Sequence, residues 1–296
     1  MKKIKIKNNK NFWYWKEIIN MFKKKIAALL CGVVMVSGLV VGCGSGNSSQ
    51  GNTTKLTISG STSVGPTIEV LAEAYEKNND VKIEVQQVGS SAGIKNTMEG
   101  TSDLGMSSRD LKDEESQSVE GTKIAIDGIA VITNKNNKVE DLTVEQVKDI
   151  FTGKITNWKE VGGADAEIVV VSREEGSGTR DGFQDILEFE SEELIKSAQI
   201  CDGSGNIKST VEGNENAIAY ISFGYVKDGI KSVKIDSVEA NDENVVAGKY
   251  PISRPFLLVN KKDNLSDGAK AFVDFIMSEE GQNIVAEEGF IKATTK

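Results

Sequence analysis

Apolar positions in this chain switch repeatedly between a two-residue and a 3.6-residue period. Residues 55–59 alternate as a short strand, run into Gly60-Ser61-Thr62-Ser63-Val64-Gly65-Pro66, and give way to Ile68, Leu71, Ala72 and Tyr75, the i, i+3, i+4, i+7 spacing of a helix that begins near Pro66. Residues 81–88 repeat the pattern, with Val81, Ile83 and Val85 on one face, then a Gly89-Ser90-Ser91 turn and a helix through Ile94 and Met98. Residues 103–110 read as a third strand end carrying hydroxyls, and 128–133 as a continuous apolar strand of the kind found in a sheet covered on both faces. The spacing predicts a helix over 143–151 with a Thr143/Gln146 capping box and a stop at Gly153. Near the C-terminus, Ala269, Phe272, Val273 and Ile276 keep helical spacing behind a Ser266 cap. Strands alternating with helices indicate an α/β fold, expected here with mostly parallel sheets whose ligands sit at the carboxyl ends of strands.

The first fifty residues do not follow this pattern. Met21 and Lys23 to Lys25 precede an apolar run over 26–41 that ends in Val40-Val41-Gly42-Cys43, which resembles the lipobox of a bacterial lipoprotein. The run is shorter than the ~20 residues of a membrane-spanning helix, so residues 1–42 are expected to be a signal peptide and Cys43 the lipidated mature N-terminus. Residues 1–20 add nothing that such a signal needs, which makes Met21 the expected start. Residues 43–54, rich in Gly, Ser and Asn, read as a flexible lipidated tether.

Charge and composition then exclude whole classes of function. Removing residues 1–42 takes away nine lysines and one glutamate and leaves 26 basic against 43 acidic residues, a formal charge of −17. Nucleic acid is not an expected partner of such a surface, and an anion must be held by local dipoles and hydrogen bonds against an unfavourable global field. There is no histidine, which excludes Ser-His-Asp chemistry and removes the usual ligand of a catalytic zinc. Neither a metal, a cofactor nor a catalysed reaction is expected. Of three cysteines, Cys31 lies in the signal and Cys43 in the lipobox, leaving Cys201 alone.

The candidate chemistry is concentrated in residues 169–183. A β-branched strand ends at Arg173, and Gly176-Ser177-Gly178-Thr179 opens a helix with Phe183, Ile186 and Leu187 on its apolar face. The free N–H groups of that first turn, the Ser177 and Thr179 hydroxyls and the Arg173 guanidinium would converge on one small volume suited to a tetrahedral oxyanion. The motif is not a Walker A loop, which requires lysine where this turn has Thr179-Arg180. Taken singly, each Gly-Ser turn is equally a capped strand-to-helix turn. Three of them, at 60–63, 89–91 and 176–179, stack two or three hydroxyls beside glycine, more than capping needs.

With these segments in hand, the chain resembles the substrate-binding proteins of bacterial ABC-type phosphate transporters. The resemblance rests on residues 60–64, 88–93, 127–131, 150–158, 173–179, 217–222, 250–255 and 278–282, in the family's order. It implies a two-lobed extracytoplasmic solute-binding protein, periplasmic-binding-protein-like of type II, with two crossovers and a hinge. Lobe one would comprise residues 55–132 and 256–296, lobe two residues 133–255, with crossovers near 131–134 and 253–257. It implies phosphate ligands at Thr62, Ser63, Ser90, Arg173, Ser177, Gly178 and Thr179 and a carboxylate at Glu175 holding the Arg173 fork; Trp158, at the end of the 151–158 segment, reads as packing within one lobe rather than as a ligand contact. Ser108 stands where the family usually has an aspartate that accepts the proton of monohydrogen phosphate; Asp110, two residues on, is the candidate replacement, with Ser108 donating. The expected function is capture of inorganic phosphate at the outer face of the cell membrane by a lipid-anchored monomer, for delivery to a permease and ATPase complex. A receptor for another tetrahedral oxyanion, such as sulfate or molybdate, is the alternative.

Overall fold

The computed structural model describes residues 54–293, so the signal, Cys43 and most of the tether lie outside the described residues. The chain forms β1 (Thr54–Gly60), α1 (Gly65–Glu76), β2 (Val81–Gln87), α2 (Ser90–Glu99), β3 (Leu104–Ser107) and a sixteen-residue β4 (Val119–Asn134). There follow β5 (Asp141–Leu142), α3 (Val144–Phe151), β6 (Val169–Arg173), α4 (Gly178–Leu187), β7 (Gln199–Cys201), α5 (Gly203–Glu212), β8 (Ala217–Ser222), β9 (Ile230–Ser232), β10 (Lys234–Ile235) and α6 (Asp242–Val246). The chain ends with β11 (Ser253–Lys261), α7 (Asp267–Met277), α8 (Glu279–Glu287) and β12 (Ile291–Lys292). Among the described residues no helix is long and apolar enough to cross a membrane.

The main strand order is β2-β1-β3-β11-β4-β8-β6-β7. Pairing is parallel at each end, β2-β1-β3 and β8-β6-β7, and antiparallel in the middle, where β11 pairs β3 and β4, and β4 pairs β8. The expectation of mostly parallel sheets is thus corrected to a mixed arrangement. The reason is connectivity: β4 carries the chain out of the first half and β11 brings it back alongside, so the two must run in opposite directions.

The long β4 explains its own sequence. Up to Gly128 it pairs with β11, and from Ile129 to Thr133 with β8. Ile124 and Ala125 pack in a core with Leu56, Ile58, Leu71, Phe256 and Phe272. Ile129 and Val131 pack in another with Phe151, Trp158, Phe183 and Tyr220, while Ala130 and Ile132, on the opposite face, join Val171, Ile207 and Ile221. A strand buried on both faces needs no polar alternation, which is why this run is continuously apolar. Each such fully buried aliphatic or aromatic side chain contributes roughly 1.5–3 kcal/mol.

Helix ends follow local rules. Thr143 and Gln146 form the expected reciprocal box, with Gln146 N donating to Thr143 Oγ1 at 3.0 Å and Thr143 N to Gln146 Oε1 at 2.9 Å. Ser266 caps α7, whose buried face is Ala269, Phe272, Val273 and Ile276. Trp158 is buried within the second core, its Nε1 donating to Asn216 O at 3.0 Å.

Candidate anion-binding site

Three of the Gly-Ser turns sit at the carboxyl ends of parallel strands. Gly93 in α2 lies so close to the end of β1 that a Cβ there would stand 2.4 Å from Ser59 O and Gly60 Cα. This approach sets the turn after β1 against the start of α2. On the other side, Tyr220 of β8 fixes the clamp: its Oη lies 2.7 Å from Ser172 Oγ and accepts from Arg173 N at 3.2 Å. Its ring stacks on Phe183 of α4 at 4.0 Å. The end of β6 and the first turn of α4 are therefore oriented by one buried tyrosine.

Hydroxyls from these turns form a single buried cluster. Ser61 Oγ accepts from Ser63 N (3.2 Å) and Val64 N (3.4 Å), so its proton is directed to Ser108 Oγ at 2.9 Å. Ser108 Oγ is 3.3 Å from Ser90 Oγ, which accepts from Ser108 N at 3.2 Å. Ser63 Oγ lies 3.0 Å from Thr179 Oγ1, and Ser204 Oγ lies 3.3 Å from both Ser63 Oγ and Thr62 Oγ1. Gly178 faces the serines of the first half so closely that a Cβ would be 2.3 Å from Ser90 Oγ and 2.8 Å from Ser108 Oγ. Ser177 caps α4, accepting from Arg180 N at 3.3 Å, which leaves its hydroxyl proton to donate.

Arg173 is 2% exposed and reaches the turn after β1. Its Nη2 donates to Thr62 Oγ1 at 3.0 Å, and its Nη1 to Ser204 Oγ at 3.3 Å and Thr179 Oγ1 at 3.5 Å. The carboxylate that holds it is Glu174, not Glu175. Glu174 accepts from Nε at 2.7 Å and Nη2 at 2.6 Å, and also from Gly203 N at 3.1 Å. The chain turns sharply through Gly176 (φ 81°), with Ser177 N bonded to Glu174 O, and this swings Glu175 into solvent. Burial works to raise the Glu174 carboxyl, but the hydrogen bonds and charge of Arg173 prevail and hold it below the usual carboxylate range.

All eight expected ligand positions, Thr62, Ser63, Ser90, Ser108, Arg173, Ser177, Gly178 and Thr179, thus lie in or beside one cluster. Asp110 does not: it is exposed, and its contribution is a carbonyl that accepts from Arg109 Nη1 at 2.8 Å. Beyond the end of β3 the chain bends at Ser108 and Arg109, so Ser108 stays buried in the cluster while Asp110 emerges into solvent, and the buried Arg109 between them turns its fork to Glu115.

The sequence reading missed four participants. Ser61 lay inside a turn already singled out. Ser204 belongs to Asp202-Gly203-Ser204-Gly205, a fourth strand-to-helix Gly-Ser turn that the same signal would have found. Arg254 and Asp127 are Cα partners on β11 and β4; Arg254 Nε and Nη2 donate to Asp127 Oδ2 at 3.1 and 2.9 Å, and Nη2 to Ser63 Oγ at 3.3 Å. Burial pushes the Asp127 carboxyl up, against the pull of Arg254 and Ser222. No local spacing signals that pair, because the two residues are brought together only by strand register.

Residues 46–280 match the profile of the PBP superfamily domain. The phosphate-binding protein PstS of Bacillus subtilis (strain 168) is 32% identical over 289 residues, covering 92% of this chain and 94% of that protein. The chain belongs to the PstS family. Its resemblance in three dimensions agrees. A Clostridium perfringens protein solved with bound phosphate, and described as a phosphate ABC transporter substrate-binding protein, is 62% identical with a TM-score of 0.80, covering 81% of this chain and all of that one. An ABC-type phosphate transport receptor from Vibrio cholerae is 36% identical with a TM-score of 0.70, covering 80% and 99% respectively.

Proposed function

We propose that this chain binds inorganic phosphate outside the cell membrane and delivers it to an ABC-type import permease driven by an ATPase, catalysing no reaction. The observation that carries the reading is the convergence of Arg173 with buried hydroxyls from both halves, Thr62 and Ser63 on one side and Thr179 and Ser204 on the other. Each hydrogen bond to a charged ligand contributes about 1.5–3 kcal/mol, and donors split between two lobes make the anion favour the closed arrangement. The ligand set is Thr62, Ser63, Ser90, Ser108, Arg173, Ser177, Gly178 and Thr179, with Ser61 and Ser204 added. Lobe one is residues 54–127 with 254–293, and lobe two residues 128–253. This boundary lies a few residues before the one expected at 132, because Ile129 to Ile132 already pack in the cores of the second half. Cys43 supplies a lipid anchor, and the protein acts as a monomer.

A second reading, a receptor for sulfate, is favoured by one observation: Asp110 is exposed, and the carboxylate beside the cluster, Glu174, is engaged by Arg173. Phosphate remains the stronger reading, with the Ser108 hydroxyl, able to donate and accept, meeting the ligand's proton. Calorimetric titration with phosphate and with sulfate decides between them. Preference for phosphate is expected, with discrimination unchanged in Asp110→Asn; equal affinity for the two anions overturns the phosphate assignment.

A further inference from the structure

A third buried arginine lies beside the hydroxyl cluster and is not accounted for by anion binding. Arg109, 4% exposed, follows β3 in the first half. Every donor of its guanidinium is used: Nη1 and Nη2 each donate to a Glu115 oxygen at 2.8 Å, Nη1 also to Asp110 O, and Nη2 to Ser91 Oγ at 3.2 Å. The remaining donor, Nε, crosses to the second half and meets Asp181 Oδ2 at 2.9 Å. Beside it, Ser91 N donates to Gly176 O at 3.1 Å, a backbone bond between the same two halves.

The geometry points to Arg109–Asp181 as a latch that sets ligand affinity by holding the lobes closed. Glu115 belongs to the same lobe as Arg109 and grips it with both oxygens, so the guanidinium keeps a partner when the lobes part. Asp181 is the partner that opening removes. It lies in the first turn of α4, its N–H bonded to Ser177 O, so it moves rigidly with the Ser177-Gly178-Thr179 clamp. Closing the clamp on an anion and seating Asp181 on Arg109 are therefore one motion. Between two lobes of strongly acidic composition, an opposite-charge contact at the mouth offsets part of the repulsion that closure meets. The latch rests on the anion-binding reading for its role in affinity, though the contact itself does not depend on which anion binds.

The test compares the parent with Asp181→Ala and with Asp181→Glu, which keeps the charge. Calorimetry with inorganic phosphate gives affinity, and small-angle scattering with and without phosphate gives closure. Asp181→Ala is expected to bind phosphate roughly 3- to 30-fold more weakly and to need correspondingly more phosphate to reach the compact form. Its ligand-free melting temperature is expected to stay near the parent's, and Asp181→Glu to recover part of the loss. Unchanged affinity and compaction in Asp181→Ala, or a lowered ligand-free melting temperature with affinity intact, overturns the latch and leaves an ordinary packing contact. If the parent binds no phosphate, the function proposed above fails; the latch is then judged on ligand-free scattering, where Asp181→Ala must be less compact than the parent to sustain it.

Discussion

Two buried arginines flank the hydroxyl cluster, and they are held in opposite ways. Arg254 lies opposite Asp127 on paired strands that both pass between the halves, and Asp127 also accepts from Ser222 Oγ at 2.8 Å. Both charges are almost wholly buried. Arg109 instead shares its charge between Glu115 in its own half and Asp181 in the other, with the carboxylates partly exposed. A pair inside a continuous ladder is not broken when lobes rotate, so it can be deeply buried at no recurring cost. A pair that must separate in each cycle needs a partner left behind and some access to water, since a lone buried charge costs several kcal/mol. The hinge side is built for permanence and the mouth for reversal.

The sharpest way to break this comparison is Asp127→Asn. It leaves Arg254 buried without its counter-charge, and one Arg254 nitrogen, Nη1, already has no hydrogen-bond partner. A loss of about 3–5 kcal/mol is expected in urea unfolding, with or without phosphate; a cost below about 1 kcal/mol would mean the hinge pair is no more than the mouth pair. At the mouth, Ser177→Ala is expected to weaken phosphate binding about 10- to 150-fold by calorimetry, while costing the parent about 1 kcal/mol of stability through the lost α4 cap. Gly178→Ala probes steric fit: the added carbon would meet Ser90 Oγ at 2.3 Å. Strain of about 1–3 kcal/mol predicts a roughly 5- to 150-fold loss of affinity, with ligand-free stability little changed because opening relieves the clash.

The smallest expected effect concerns pH. Glu174 is held below its ordinary carboxylate value, so its pairing with Arg173 contributes fully above that value and is lost as pH falls through the depressed one. Stability of the parent relative to Glu174→Gln should therefore be constant from pH 8 to about 5 and shrink toward acid. A difference that grows toward acid instead would show that Glu174 is not paired as described.

Legibility in the sequence tracks the range of the interaction. The alternating elements, the Thr143 and Ser266 caps and the α7 core face were all readable, because each depends on residues within four positions of one another. So were the Gly-Ser turns, since a glycine followed by hydroxyls at a strand end is a local signal. Ser204 was missed although its turn carries that signal. Glu175 was expected where Glu174 stands because spacing alone does not show which of two neighbouring carboxylates a turn throws outward.

What the sequence determined by itself was an α/β chain with several anion-suited turns, a single matched arginine and no histidine chemistry, because those follow from residue type and short-range periodicity. Only the tertiary structure decided that Ser61 and Ser204 join the cluster, that Asp110 does not, and that Arg254 meets Asp127 while Arg109 meets Asp181. Those pairs are separated by 127 and 72 positions. The antiparallel register of β4 with β11 makes the first, and the approach of two lobes makes the second; neither leaves a trace in any window of the chain.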